Sequence, residues 1–326
     1  ITYEFVDGPA ERDTLAVLTV IPGGPSEEAG LQSGDRIVAV NGTSTIGYSH
    51  EAVQSALKGP RATTVELTLR RPGRSQPIRL GVVRGKVPLR TVVASFMANE
   101  HTGYIKITRF ARTTYEEFTE ALTRLMQRGM ERLILDLRGN TGGLMEAAIQ
   151  VADAFLSDDQ LIVAARSRHD EFTQSSYATG GGAFEDGPVI VLVDEQSASA
   201  SEIVAGAMQD LDRGVVMGTT TYGKGLVQVV RDLPHNTALK LTTAKYYTPS
   251  GRSIQSVDYG EHDGTSTEIP DSLRQTFETE GGRTVKDGRG IEPDIAVSPG
   301  IESELEQALR RRAAFFFYAN HYAAEH

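Results

Sequence analysis

The feature that most constrains the fold is a strand, a short turn and a helix in immediate succession within residues 189–211. The run from Val189 to Val193 is apolar throughout and is typical of a buried strand. A serine-rich turn follows it. A helix is then predicted from apolar residues at helical spacing: Ile203, Val204, Ala207, Met208 and Leu211. This succession predicts an α/β arrangement for the surrounding core.

A second segment repeats the same order earlier in the chain. Leu133 to Leu137 is predicted as a buried strand, residues 138–143 (Arg-Gly-Asn-Thr-Gly-Gly) as a loop, and Met145 to Leu156 as a helix. Glycine-rich loops ahead of helices present backbone N–H groups, which bind anions. Both segments therefore predict reactive or anion-binding groups at element boundaries.

Ser199 stands at the predicted start of the later helix. A hydroxyl at this position lies among unpaired backbone N–H groups and near the positive end of the helix dipole, which suits a nucleophile whose reaction develops an oxyanion. Ser199 followed by Glu202 also matches a capping box, a structural role that is compatible with catalysis. Ser197 and Ser201 offer the same chemistry, so the residues alone do not select one of the three serines.

Lys224 lies in a second loop with glycine on both sides. The strand-like run Val215 to Met217 leads into this loop, and the glycines permit a tight backbone path. A lysine can act as a general base where burial favours its neutral form, and serine–lysine pairs are an established alternative to the histidine triad. Without further context Lys224 would be a solvated loop residue and Gln228 an ordinary strand residue.

Three rival chemistries fit the sequence poorly. Residues 218–224 match the glycine and lysine spacing of a phosphate-binding loop, but Gly225 stands where a serine or threonine should hold magnesium. His169 lies beside Asp170 in a polar stretch, is expected at the surface, and no Gly-x-Ser-x-Gly motif frames a serine. The chain has no cysteine and no histidine pair at ligand spacing, so we expect no metal and no cofactor.

Composition places the chain among globular proteins of about two domains. It has 326 residues, of which 39% are hydrophobic and 23% charged. The formal net charge of −10 argues against nucleic acid as a partner, and no apolar run is long enough for an integral membrane segment. Because the sequence begins at Ile1, a start methionine and any signal peptide are expected upstream.

Residues 25–42 resemble the start of a PDZ module, with a helix start, a turn and a strand in that order. Asn41 and Gly42 form a strong turn signal, a short helix is predicted over Ser49 to Leu57, and strands over Val65 to Leu69 and Ile78 to Val83. PDZ modules are β-rich and bind peptide C-termini as an added strand. The resemblance implies binding along the strand Thr2 to Val6, and therefore by Ile1 and Thr2, with the carboxylate-binding loop ahead of them.

The motifs around Ser199 and Lys224, together with the PDZ-like region, resemble the carboxyl-terminal processing (tail-specific) serine proteases over nearly the whole chain. The resemblance implies a crotonase-like α/β (α+β) protease core behind an N-terminal β-rich PDZ domain. It also implies that Ser199 is the nucleophile, that Lys224, 25 residues later, is the base, and that Gln228 orients the lysine. The oxyanion hole would be formed by backbone N–H groups of Gly142, Gly143 and Ala200.

The family implies an endopeptidase that acts on proteins or peptides with exposed C-termini, with the PDZ domain recognising those termini and gating activity. It further implies the bacterial cell envelope, or an equivalent plastid lumen, and allows a homodimer or higher oligomer of the full-length protein. The alternative from another class is a non-catalytic PDZ-based peptide-binding scaffold in which Ser199 is only a cap.

The expected domain organisation has four parts. These are a PDZ domain over residues 1–85, a linker over 86–90, a serine protease core over 91–300 and a helical tail over 301–326. Within the core, a helix over Thr114 to Arg128 should bury Phe118, Leu122, Leu125 and Met126 and end at Gly129. The polar stretch from Asp258 to Arg289 is expected to be a long excursion. A terminal helix is predicted over Glu302 to Arg312, and Phe315 to Tyr318 should pack on the core or on a partner.

Overall fold

The computed structural model describes residues 1–6, 14–235, 237–258, 267–298, 300 and 303–325. The chain divides into two compact units, which we call the first unit (residues 1–89 and 300–326) and the second unit (residues 90–299). The first unit begins with a β-rich region, and the second mixes strands and helices. The mixed α/β architecture predicted from the sequence is therefore confirmed.

The β-rich region of the first unit is an antiparallel sheet with two helices. Its strands follow the order β1-β2-β3-β5-β6, and β4 pairs with β3. The element bounds are β1 Thr2–Val6, β2 Thr14–Thr19, α1 Pro25–Glu28, β3 Arg36–Val40, β4 Thr43–Ser44, α2 His50–Leu57, β5 Thr64–Arg70 and β6 Ile78–Val83.

Local sequence explains two of these elements directly. Asn41 and Gly42 both have positive φ angles (50° and 79°), as a tight turn between β3 and β4 requires. Helix α2 begins after Ser49, whose hydroxyl accepts the Ala52 N–H at 3.2 Å as an N-cap. Val53, on the inner face of α2, is buried in the small core of this unit.

The second unit is built around two sheets. Its elements are β7 Val92–Met97, β8 Thr102–Ile107, α3 Thr114–Gln127, β9 Arg132–Asp136, α4 Met145–Asp153, β10 Leu161–Arg166, β11 Gln174–Tyr177, β12 Val189–Val193, α5 Ala200–Asp210, β13 Val215–Gly218, β14 Leu226–Leu233, β15 Thr237–Tyr247, β16 Val257–Asp258, β17 Thr267–Glu268, β18 Thr276–Glu278, β19 Thr284–Lys286 and β20 Ile295–Ala296.

The larger sheet has the strand order β20-β13-β12-β9-β8-β7 and is parallel except for β7. The second sheet is antiparallel, with the order β11-β10-β15-β14. The predicted excursion contains two short strand pairs, β16 with β17 and β18 with β19, while its residues 259–266 lie outside the described residues.

Helices α3, α4 and α5 contribute side chains to the core of the second unit. Phe118 and Leu122 of α3 are fully buried, but Met126 is 42% exposed, so its predicted place on the buried stripe is wrong. Helix α5 is buried at all of its positions and not on one face only. A helix with no solvent face belongs to the centre of a core.

The terminal segment consists of α6 (Glu304–Arg311) and α7 (Ala314–Glu325). Ser303 caps α6, and Glu302, where the predicted helix began, lies outside the described residues. Phe317 packs within the first unit, with the Arg36 guanidinium 5.9 Å from its ring centroid. Phe315 and Tyr318 are 59% and 70% exposed, so these two side chains are not covered by the core, and their packing on a partner stays a prediction.

Candidate active site

The candidate site lies where the loops after β9, β12 and β13 meet. These strands are parallel, so their carboxyl ends lie at one edge of the sheet, the usual place for a site in such a fold. The loops are hydrogen-bonded to one another. Ala198 N–H donates to the Asn140 carbonyl at 3.0 Å, and Tyr222 N–H donates to the Ser197 carbonyl at 3.0 Å.

Ser199 has an unusual backbone conformation at the start of α5. Its φ and ψ angles are 54° and −112°, in a region that non-glycine residues rarely occupy. Such a conformation costs about 1–3 kcal/mol and persists only where neighbouring contacts hold it. This strained residue is half-buried and lies between the turn after β12 and the start of α5.

The three neighbouring serines differ sharply in their surroundings. Ser197 is fully buried, and its hydroxyl donates to the Leu137 carbonyl at 2.9 Å. Ser201 is also fully buried, and its hydroxyl donates to the Asn140 carbonyl at 2.8 Å. Both hydroxyls join loops together, whereas Ser199 is partly open to solvent. Three-dimensional context therefore separates serines that the local sequence left equivalent.

Glu202 connects the serine turn to the lysine loop. One carboxylate oxygen accepts the Ser199 N–H at 2.7 Å and the Lys224 N–H at 2.9 Å. The other accepts the Gly223 N–H at 2.7 Å and the Thr221 hydroxyl at 2.6 Å. The predicted capping box is present, and the same carboxylate extends beyond it to residues about twenty positions later in the chain.

The charge of Glu202 follows from its partners. Burial raises the pKa of Glu202, while its hydrogen bonds to Thr221, Lys224, Gly223 and Ser199 oppose that rise. All four partners are donors, because the Thr221 oxygen accepts the Ile291 N–H at 2.7 Å and directs its own hydrogen to Glu202. An ionised carboxylate only accepts hydrogen bonds, so this arrangement fits the charged form.

Lys224 and Gln228 both line a cleft of about 640 Å³, together with Ala198, Tyr222 and Ser256. The Lys224 side chain is half-buried and Gln228 is exposed. Among the described residues, neither the Lys224 ammonium nor the Gln228 carboxamide has a hydrogen-bond partner, Ser199 included. The fold thus brings the backbones of Ser199 and Lys224 together, but their side chains are not in hydrogen-bond contact.

The Gly142–Gly143 loop lies directly against Ser199. A Cβ atom on Gly142 would stand 2.9 Å from the Ser199 Cβ and 3.0 Å from the Ala200 nitrogen, so only glycine fits there. The Gly142 N–H is engaged, because it donates to the Asn140 side-chain oxygen at 2.9 Å. Within the described part of the chain, the N–H groups of Gly143 and Ala200 have no acceptor. Those two donors remain available for an oxyanion.

Two supporting residues were not identified from the sequence. The fully buried Asn140 holds the glycine loop in place, since its side chain also donates to the Ile107 carbonyl at 3.0 Å. Gln255 accepts the Gly225 N–H at 2.8 Å and so fixes the residue after Lys224. The position of Asn140 inside a glycine-rich loop was a usable signal. No local pattern marks Gln255, which lies 30 residues beyond its partner.

A charged cluster anchors the start of the glycine loop. Burial alone would raise the pKa of Asp136, but hydrogen bonds from Arg138 and Tyr104 lower it to about 2. Burial and the hydrogen bond to Asp136 raise the pKa of Tyr104 to about 12. Lys106 contacts the same carboxylate at 3.2 Å. The residues that lead into the loop are therefore held by an ionised carboxylate.

Thr2 is the first residue of β1, an edge strand of the first unit's sheet, and Ile1 directly precedes that strand. Ile1 lines a groove of about 690 Å³ whose walls carry apolar side chains: Ile21, Leu57, Val65, Leu67 and Val82. Thr2 is not part of this groove lining, because successive side chains of a strand point to opposite faces. Of the two predicted substrate-binding residues, only Ile1 faces the groove.

Three further observations concern His169, metal ligands and membrane-spanning helices. His169 is exposed, as predicted, on the loop after β10. Over the described ranges, no group of three potential metal-ligating side chains is found. None of the described helices has the length and apolar character required to cross a membrane.

Comparison with known families now identifies the class of protein. The sequence pattern of Peptidase family S41 matches residues 101–261, and that of the PDZ domain matches residues 17–71. The chain belongs to peptidase family S41 and resembles its carboxyl-terminal processing members. The predicted resemblance to this family, with its PDZ domain, is confirmed.

Individual relatives support this assignment. A carboxyl-terminal-processing protease from Picosynechococcus sp. is 36% identical over 246 residues, which cover 75% of this chain and 59% of that protein. The CtpA protease of Bacillus subtilis is 33% identical over 318 residues, or 94% of this chain and 64% of that protein. The chain therefore spans about 60% of the length of these relatives.

A solved structure gives the same assignment. The photosystem II D1 C-terminal processing protease is 30% identical, with a TM-score of 0.50, over 94% of this chain and 73% of that one. The likeness extends across both units of the chain.

Proposed function

We propose that this chain is a serine endopeptidase that uses Ser199 as nucleophile and Lys224 as general base. The observation that carries the proposal is the shared oxygen of Glu202, which binds the backbone N–H groups of both residues. A structural cap needs only the Ser199 bond. The bond to Lys224, formed by a buried carboxylate, supports a role in holding a base beside a nucleophile.

In the proposed reaction, neutral Lys224 removes the proton of the Ser199 hydroxyl, which attacks the scissile carbonyl. The oxyanion is bound by the N–H groups of Ala200 and Gly143, while Gly142 acts as the spacer that allows this approach. Lys224 then protonates the leaving amine, and water hydrolyses the acyl-enzyme. For this step the Lys224 side chain must rotate toward Ser199, and Gln228 would then orient it. Catalytic hydrogen bonds in substrate-free sites are often long and tighten only when the substrate binds.

The proposed substrates are proteins and peptides with exposed C-termini. The apolar groove beside Ile1 would take an apolar terminal side chain as the peptide adds to β1. The relatives named above include bacterial proteases, so we propose the bacterial cell envelope as the location. A homodimer or higher oligomer of the full-length protein fits the same proposal.

Substitution of the nucleophile is the decisive test. Ser199→Ala should abolish cleavage of a denatured protein substrate and leave the fold intact, because loss of a cap costs only about 1 kcal/mol. Ser197→Ala serves as the comparison within the same turn. Activity that survived in Ser199→Ala and disappeared in Ser197→Ala would show that Ser197 is the nucleophile and would overturn the proposal.

Substitution of the base separates proton transfer from charge. Lys224→Arg should be as inactive as Lys224→Ala, because a guanidinium is not deprotonated in proteins. If Lys224→Arg turned over substrate at a rate close to that of wild type, Lys224 would act through its positive charge and not as a base.

The alternative function, a non-catalytic peptide-binding scaffold, draws on one observation. The Ser199 and Lys224 side chains are not hydrogen-bonded to each other. A fluorophosphonate probe distinguishes the two, since it labels a serine only when that serine is activated. Labelling that is lost in Ser199→Ala and Lys224→Ala supports the peptidase, whereas a protein that binds peptide C-termini without labelling supports the scaffold.

Gating by the PDZ domain is the proposed form of control. Substrates with apolar free C-termini should be turned over faster than the same substrates with amidated termini, since amidation removes the terminal carboxylate. Equal turnover of the two forms would contradict gating by a bound C-terminus.

A further inference from the structure

Thr221 is a buried residue of the lysine loop, three positions before Lys224, and is only 5% exposed. Its hydroxyl oxygen accepts the Ile291 N–H at 2.7 Å, and its own backbone N–H donates to the Ile291 carbonyl at 3.1 Å. Because a backbone N–H can only donate, the hydroxyl hydrogen is directed to the Glu202 carboxylate, 2.6 Å away. A hydroxyl–carboxylate distance of this length is typical of a charge-assisted hydrogen bond. Thr221 therefore joins Glu202 to the segment around Ile291.

The segment around Ile291, residues 288–294, which we call the return segment, is fixed at several points. Ile291 is fully buried and belongs to the core of the second unit. The backbone of the segment also forms hydrogen bonds with the loop after β15, with helix α5 and with strand β13, through four other residues: Ser253, Ile254, Gln209 and Val216. The return segment is therefore a fixed reference within this unit.

Gly290 brings the backbone of the return segment directly against Thr221 and Glu202. Its φ angle is 72°, a conformation that favours glycine. A Cβ atom at this position would lie 2.6 Å from the Thr221 hydroxyl oxygen and 3.0 Å from a Glu202 carboxylate oxygen. Any larger residue would therefore push the return segment away from this pair of side chains.

The four donors on Glu202 are not equivalent. Three are backbone N–H groups of Ser199, Gly223 and Lys224, which belong to the two loops that the carboxylate joins. The fourth, the Thr221 hydroxyl, is also bound to the return segment. It therefore fixes the direction of the carboxylate relative to the core and not only relative to the loops.

We propose that Thr221 is a positioning residue of the Ser199–Lys224 site, whose hydroxyl holds the Glu202 carboxylate in the direction that binds both backbone N–H groups. The χ1 angle of threonine is restricted by its β-branched side chain, so that a buried hydroxyl points in one direction. Thr221 acts through Glu202 and takes no part in bond making or breaking. The inference rests on the proposed peptidase function and adds the group that keeps nucleophile and base at a constant separation.

Removal of the hydroxyl at constant shape gives the first test. Thr221→Val leaves Glu202 without its fourth donor and should lower kcat about tenfold, because the backbones of nucleophile and base are no longer held in place. KM should change less than about twofold, since Thr221 does not act on substrate binding. Steady-state kinetics on an unstructured peptide that the wild-type protein cleaves measures both constants. A folded Thr221→Val protein with wild-type kcat would overturn the proposal.

Thr279 provides a matched control at the other end of helix α5. It is 4% exposed, its hydroxyl oxygen accepts the Arg283 N–H at 2.9 Å, and the hydroxyl also hydrogen-bonds to the Asp212 carboxylate. Thr279→Val therefore removes the same kind of bridge from a backbone N–H to a carboxylate, away from the proposed site. Both valine variants should lose thermal stability, measured by circular dichroism, but only Thr221→Val should lose turnover. An equal loss of kcat in both would mean general destabilisation and would defeat the proposal.

Two further substitutions separate the hydroxyl from the fold. Thr221→Ser keeps the hydroxyl and should restore most of the kcat that Thr221→Val loses. An inactive but folded Thr221→Ser protein would therefore contradict the role of the hydroxyl. If Thr221→Val does not fold, Thr221→Ala removes the same hydroxyl without added bulk and carries the same expectation.

Amide hydrogen exchange, followed by NMR, gives a test that does not need catalysis. The N–H groups of Ser199, Gly223 and Lys224 are bound to one buried carboxylate, so their exchange should be slow in the wild-type protein. They should exchange about tenfold faster in Thr221→Val and at the wild-type rate in Thr279→Val. Unchanged exchange in Thr221→Val would defeat the positioning role and leave the serine–lysine assignment untouched. Cleavage that persists in Ser199→Ala would instead defeat the proposed function, whatever the exchange result.

Discussion

The two ends of helix α5 are held in different ways. At the amino end, Ser199 is strained and half-buried, and a single carboxylate, that of Glu202, connects it to the lysine loop. At the carboxyl end, Gln209, Asp210 and Asp212 are bound by two arginines from later parts of the chain. The helix is thus held by a charge network at its carboxyl end, whereas its strained residue lies at the amino end, where we propose that the reaction takes place.

The contacts at the carboxyl end are dense. The fully buried Arg252 donates to the Asp210 carboxylate at 2.8 Å, to the Gln209 side chain at 2.6 Å and to the Lys286 carbonyl at 3.1 Å. Arg283 donates to Asp212 and to the Gln209 carbonyl. A buried charge network of this kind is costly to break, because removal of one partner leaves the other charge uncompensated.

The largest expected effect is therefore at this anchored end. Arg252→Met should lower the free energy of unfolding by about 3–5 kcal/mol, since it leaves Asp210 buried without its cation. Urea unfolding followed by circular dichroism measures this. Arg289→Met is the control, because Arg289 is 48% exposed and its 3.5 Å contact with the exposed Asp271 is a surface ion pair. A loss below about 1 kcal/mol for Arg252→Met would show that the network is not an anchor.

The amino end of α5, the proposed reactive end, should respond mainly in activity. Glu202→Gln places an amide N–H₂ against groups that are all donors, so it should lower kcat about 100-fold through misplacement of the Ser199 and Lys224 backbones. The accompanying loss in unfolding free energy should be about 1–3 kcal/mol. Turnover and urea unfolding are measured side by side, with the exposed Glu120→Gln as control. An active Glu202→Gln protein would refute the role of Glu202 in positioning.

A smaller effect is expected at Ser201, two residues beyond the proposed nucleophile. Ser201→Ala removes the hydrogen bond to the Asn140 carbonyl and should cost about 1 kcal/mol of stability. Turnover should stay within a few-fold of wild type, because the Ala198 N–H still binds the same carbonyl. Complete inactivity of a folded Ser201→Ala protein would argue that Ser201 takes part in the reaction.

The smallest expected effect is a difference in pH dependence between the two ends. Burial raises the pKa of Glu202 above its usual value, so its contribution to stability is full at low pH and is lost as pH rises through the folded pKa. Burial alone would raise the pKa of Asp212, but hydrogen bonds from Gly281 and Arg283 lower it. The contribution of Asp212 is therefore present above its unfolded pKa and is lost as pH falls through the folded one.

Unfolding free energies between about pH 3 and 6 would show this difference. Asp212→Asn should lose less stability than wild type on acidification, and Glu202→Gln should lack the decline that wild type shows as pH rises above the usual glutamate pKa. Parallel curves for all three proteins would mean that neither carboxylate is shifted as described.

Much of the fold followed from periodicity in the sequence. The runs around Val189 and Leu133 are strands of the parallel sheet, and the helices after them begin close to the predicted residues. The failures have physical causes. Met126 was assigned to a buried stripe by spacing alone, but its position on α3 lies too far around the helix to reach the core. Phe315 and Tyr318 were expected to be covered because they are apolar, and hydrophobicity alone does not determine whether the chain's own core or a partner covers them.

The candidate site was predictable only where a local motif existed. Ser199 and Lys224 were placed by family resemblance, and the capping-box pattern identified Glu202. The longer reach of Glu202 depends on Thr221 and Gly223, which are 19 and 21 residues away, so no local rule could reveal it. The same holds for Gln255, whose partner is separated from it by the β14–β15 hairpin. The engagement of the Gly142 N–H by Asn140 could be known only from coordinates.

Helix α5, buried at all of its positions, has a consequence for how this chain can change over evolutionary time. Every substitution there meets packed neighbours, so only replacements of similar volume are tolerated. The helix therefore tolerates few substitutions, and changes in what the chain binds would have to arise in the surfaces that surround it. The side chain of Tyr222, which is 63% exposed and lines the cleft, can be exchanged without disturbing helix α5. If the proposed function holds, the surfaces that contact the substrate can thus change while the geometry around Ser199 is kept.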